Sequence, residues 1–121
     1  HPTFAKDKER DVIRALIPDS LGNSTWGLDV TQIGFKWKAS IGPMIKPGKQ
    51  EVVDTLTITL KKNEYLTQNN CRWEKHGDSS LIIAAKKEFE KPFKAWFIDT
   101  KKKKIVPINA KEVKCWPIED T

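Results

Sequence analysis

Only a few residues in this chain have the chemistry to act on a substrate, and they gather in one short stretch. His76 is the one internal histidine, set in Lys75-His76-Gly77-Asp78-Ser79-Ser80. Ser79, His76 and Asp78 supply the residue types of a nucleophile, a base and an orienting carboxylate. Such triads are assembled from distant chain segments, however, because three neighbours in one turn rarely reach the required geometry. Gly, Asp and Ser are also ordinary turn residues. Cys71 lies five residues before His76 and would need it as a base to form a thiolate nucleophile. Paired carboxylates could cleave a glycosidic bond if held about 5 to 9 Å apart. Asp54, Glu64, Glu74, Glu88 and Glu90 sit among charged neighbours on patterned solvent faces. A small hydrolase using His76 is therefore an alternative, and the expectation is that no residue is catalytic. No GxGxxG or GxxxxGK[ST] run occurs, and a single internal His with two Cys falls short of the four ligands of a structural zinc site. Neither a cofactor nor a metal is implied.

Charge points elsewhere. The net charge is +6, and Arg10, Arg14 and Arg72 are the only arginines among 22 basic residues. The planar Arg fork suits phosphate and base recognition, whereas a lysine surface attracts anionic partners without directional specificity. Lys101, Lys102, Lys103 and Lys104 are consecutive, and residues 81–121 carry ten Lys against six acids. These four lysines are candidate partner-binding residues for an acidic protein. Five Trp are a heavy load for 121 residues. Trp26 and Trp73 border loops, and are the candidate aromatic anchors, since Trp is favoured at interface hot spots. Phe35-Lys36-Trp37-Lys38 and Phe93-Lys94-Ala95-Trp96 also interleave rings with cations. A single-stranded nucleic-acid-binding domain is the alternative that this interleaving raises. Alternation along a strand, however, sends rings and lysines to opposite faces.

Cys71 and Cys115 lie 44 residues apart, and an even cysteine count in an exported chain favours one disulfide. The chain opens on His1, and Met44 is the only methionine, which suggests a trimmed, exported protein, periplasmic or extracellular. Asn23-Ser24-Thr25 matches a glycan acceptor. The longest apolar run, 81–85, is far short of the roughly 20 residues of a membrane helix. The length suits a single domain over 1–121.

The elements that must position these residues follow from periodicity. Val12, Ile13, Leu16 and Ile17 fall at i, i+1, i+4 and i+5, one helical stripe, and Pro18 closes the segment. The spacing predicts a helix over 4–17. Trp26, Leu28 and Val30 alternate as a strand, and the parity then flips before Ile33, Phe35, Trp37, Ala39 and Ile41, which calls for a bulge or a turn at Thr31-Gln32. Leu56, Ile58 and Leu60 face one way, and Thr55, Thr57 and Thr59 the other. Strands are also expected at 81–85, on both sides of the lysine turn, and at 113–116, with Pro107 marking an edge or strand end. The expected fold is α+β: one N-terminal helix packed on a curved antiparallel sheet of five or six strands. This plan resembles the cystatin-like and NTF2-like layouts, a likeness of arrangement that carries no function. The expected role is a non-enzymatic protein-binding module of the cell envelope or secretome, such as an assembly component, inhibitor or toxin-neutralising protein.

Overall fold

A computed structural model describes residues 8–68, 70–86 and 92–116. Eleven strands are present among them: β1 (Arg10–Ile17), β2 (Trp26–Ile33), β3 (Lys36–Lys46), β4 (Lys49–Gln50), β5 (Asp54–Thr59), β6 (Glu64–Thr67), β7 (Cys71–Trp73), β8 (Leu81–Lys86), β9 (Pro92–Asp99), β10 (Lys104–Ile108) and β11 (Val113–Cys115). Among the described residues helix is limited to two single 3-10 turns, Asp78–Ser80 and Ala110–Glu112. The fold is therefore nearly all β, with 63% of the described residues in strands, and the expected α+β class is overturned. No helix among the described residues is long and apolar enough to cross a membrane.

The expected N-terminal helix is a bulged strand. Residues 4–7 lie outside the described chain, but 10–17 pair antiparallel with β2. The register slips between Asp11 and Ile13, so Val12 is the extra residue of a bulge. Without that residue the alternation of a strand would be plain. With it, Val12 and Ile13 both pack on the core, and Ile17 is buried two pairs beyond Ala15. A bulge thus imitates the i, i+1, i+5 spacing of a helical stripe. Leu16, the remaining member of the stripe, faces outward and is 57% exposed. β-branched Val12, Ile13 and Ile17 suit a pleated ladder better than a helix.

The parity flip in the next segment is a hairpin, and its turn falls at Gly34-Phe35, three residues beyond Thr31-Gln32. Ile33 pairs with Lys36, leaving a two-residue loop in which Gly34 has φ +59°. That positive φ at the first central residue is the feature for which a tight hairpin selects glycine. Trp37, Ala39 and Ile41 then point inward opposite Gln32, Val30 and Leu28. β5 pairs with the other edge of β3, with its threonines exposed and Leu56 and Ile58 packed on the core. β6, β8, β9 and β10 form a second sheet in the order β10-β9-β8-β6, so Pro107 lies on an edge strand, where a missing N–H costs no ladder bond.

The two sheets share one core. Leu28, Val30, Trp37 and Ile41 from the first meet Leu66, Ile82, Trp96 and Ile98 from the second. Asp54 links their edges, its Oδ2 accepting the backbone N–H of Ile105 at 2.7 Å. β8 is apolar on both faces for a visible reason. Ile82 and Ala84 enter the main core, while Leu81, Ile83 and Ala85 are covered by a two-stranded ribbon of β7 and β11.

The second half of β3 folds back with β4 as a flap across the outer face of β2. A Cβ at Gly42 would stand 1.8 Å from the Glu51 carbonyl oxygen, so the crossing requires glycine there. Pro47-Gly48 turns the flap, with Gly48 at φ +78°.

Candidate functional site

The lysine run is the turn between β9 and β10. Asp99 Oδ1 accepts the Lys102 N–H at 3.0 Å, and Lys103 takes φ +58°. Lys104 pairs with Asp99 and opens β10. Lys101, Lys102, Lys103 and Lys104 are all exposed. The one ion pair among the described residues is Arg14–Asp29, so these ammonium groups stand without a carboxylate partner there.

The ribbon lies close to this turn. Cys71 and Cys115 face each other across β7 and β11 with Cα atoms 4.0 Å apart and are joined by a disulfide. Strands of three residues hold too few ladder bonds to persist alone, and the covalent link ties them. In the chain-entropy model a separation of 44 residues is worth about 4 kcal/mol. Trp73 ends β7 half-buried. Its ring lies 5.2 Å from Phe97, stacks at 5.7 Å on His76, and its Nε1 donates to Glu112 Oε1 at 3.4 Å. Phe97 precedes Asp99 by two residues, so this aromatic cluster sits about 7 Å along β9 from the base of the lysine turn. The structure brings Trp73 and the lysines to one region. Trp26 it places elsewhere, in the main core at 7% exposure. Trp116 is the exposed indole, at 55%, next to Cys115. Its position between a disulfide and a proline was the available signal, since a strand ending there leaves the next side chain uncovered.

Among the described residues, the groups raised for hydrolysis are held in local contacts. The His76 ring is 4.4 Å from Phe97, and its backbone pairs with that of Trp73. Asp78 Oδ2 accepts the Asn70 N–H, and the carbonyls of Asp78 and Ser79 accept from Gln68. Among the described residues no hydrogen bond joins the side chains of His76, Asp78 and Ser79. Cys71 is committed to the disulfide and holds no thiolate. Asp54 bridges the two sheets, Glu64 Oε1 accepts the Lys61 N–H in a turn, and Glu74 occupies a turn at φ +52°. Glu88 and Glu90 lie outside the described residues. No group of three His, Cys, Asp or Glu gathers among the described residues.

The aromatic-lysine runs are split: Phe35 and Phe93 are exposed, and the two tryptophans are not. Trp37 and Trp96 are buried in the core, while Lys36, Lys38 and Lys94 are exposed. Bases could reach the two tryptophan rings only by entering the core. Asn23 lies in the exposed β1–β2 loop, which Asp19 organises. Asp19 Oδ2 accepts the Thr25 hydroxyl at 2.6 Å, and Oδ1 accepts the N–H groups of Leu21 and Asn23. The Thr25 hydroxyl, followed by these backbone donors, holds the Asp19 carboxyl below its ordinary value of 3.8.

No protein-family model, no curated protein and no solved structure matches this chain, and its functional reading rests on the geometry above.

Proposed function

We propose that this chain is a non-enzymatic protein-binding module of the cell envelope or secretome, steered onto an acidic partner by the β9–β10 turn. The observation that carries the reading is four consecutive exposed lysines on a backbone fixed by Asp99, beside the half-buried ring of Trp73. Charges held at a hairpin tip project their field into solvent, and a positive patch raises the rate of encounter with a negative one. Trp73 then supplies the adjoining apolar contact, with its ring braced by Phe97 and its N–H directed at Glu112. Trp116 extends the aromatic surface. The disulfide supports an oxidising, exported location, because such bonds persist outside reducing compartments.

The test is affinity capture from native extract with two baits, the wild type and a variant carrying Glu at 101–104. The reading expects an acidic protein retained by the first and lost from the second. Equal recovery on both baits, or none on either, contradicts it.

A further inference from the structure

The flap over β2 encloses a second site, remote in sequence from the lysine turn and independent of its reading. A groove of about 630 Å³ runs between flap and sheet, within the range of small-ligand sites. Leu16 and Met44 wall it, Gly27 is its floor, and Arg14, Asp29, Ser24, Lys46 and Gln50 supply its polar groups, with the Asp29 carboxylate offset by Arg14.

Gln50 is the informative residue. Its Nε2 donates to the Ser40 carbonyl at 3.3 Å, which fixes the amide orientation, since a flipped amide would set two oxygens against each other. Its Oε1 is buried without a hydrogen-bond partner. A buried acceptor left unpaired is costly and asks for a donor. This oxygen lies over Gly27, 2.7 Å from where a Cβ would stand, and the Met44 sulfur is equally close to that point. Glycine is what allows both groups to sit there. Met44 is unbranched and flexible at every side-chain bond, and a ligand reaching the buried acceptor would have to turn it aside. On the rim, Arg14 uses Nε on Asp29 at 3.4 Å, and its terminal nitrogens have no partner among the described residues. Lys46 stands exposed on the flap.

An apolar wall, an acceptor in need of an N–H and two cations match one chemical unit. We infer that the groove binds a terminal apolar residue bearing a free carboxylate. The amide N–H donates to Gln50 Oε1, the apolar side chain lies between Leu16 and Met44, and the carboxylate meets Arg14 and Lys46. The unit occurs in short peptides and N-acyl amino acids, and at the C-termini of proteins.

N-acetyl-Phe-Leu titrated into isotope-labelled protein, followed by amide chemical shifts, tests this. The expected result is saturable shifts at Leu16, Gly27, Asp29 and Gln50. The C-terminal amide of the same probe should bind roughly three- to tenfold more weakly. Arg14→Gln should weaken the acid and leave the amide form unchanged. Gly27→Ala drives a methyl against Gln50 Oε1 and the Met44 sulfur, displaces both, and should abolish the shifts. Should that variant fail to fold, as judged by its urea midpoint, Gln50→Leu serves instead, with the same loss expected. The same dipeptide placed at the C-terminus of a carrier protein distinguishes the sources: equal binding points to protein termini, and binding of the free form alone points to small molecules. No shifts at these residues, or equal affinity for acid and amide, overturns the inference.

Discussion

At the residue scale, three aspartates of this protein fasten backbone. Asp54 joins the two sheets through the Ile105 N–H, and Asp99 sets the lysine turn. Asp54→Ala leaves a half-buried donor unpaired, and should lower stability by about 1–3 kcal/mol in urea denaturation. An unchanged midpoint would remove the cross-sheet role. Asp19 makes a pH prediction. Its folded pKa is depressed, so its contribution is present above the ordinary value of 3.8 and disappears as pH falls through the lower folded value. Comparing wild type with Asp19→Asn by thermal melts should show a gap at neutral pH that closes in acid below that value. A gap that widens on acidification would reverse the sign. At this scale the sequence was partly legible. Asp99 and Asp78 read as turn residues because short carboxylates accept local amides. Asp54 reads as a surface residue, since nothing local announces a bond to Ile105, 51 residues away.

At the element scale, strands were readable wherever alternation ran unbroken. Leu56, Ile58 and Leu60 against three threonines, and the double-faced run 81–85, needed no tertiary information. β1 reads as a helix because Val12, the inserted residue of its bulge, moves two adjacent apolar side chains onto the core. Only pairing with β2 separates that pattern from a helix. The flap was equally hidden. Gly27 reads as a strand glycine and Gly42-Pro43 as the start of a loop, although both glycines lie in strands and each marks a close approach by residues 44–51. The β7–β11 ribbon carries this scale's prediction. Replacing Cys71 and Cys115 together with Ser should cost about 2–4 kcal/mol. Amides at 71–73 and 113–115 should also exchange well before those of β2 and β3, because three-residue strands lose their tie first. Uniform exchange across the molecule in that variant would show the ribbon to be fixed by packing alone.

At the scale of the whole molecule, a shared core between two antiparallel sheets leaves one basic turn and one aromatic cluster on neighbouring ground. Trp73 was readable as a contact candidate because it borders a loop, and Trp26 borders one too. What separates them is the core that closes over Trp26, which no local pattern encodes. The net charge of +6 acts here, favouring encounter with acidic surfaces in a salt-dependent way. The decisive measurement is the association rate of the captured partner with wild type and with the 101–104 Glu variant, across a range of ionic strength. Steering by the turn predicts a wild-type rate that falls steeply with salt, and a variant at least about tenfold slower at low salt with that slope removed. Matching rates and slopes for the two proteins would contradict the account.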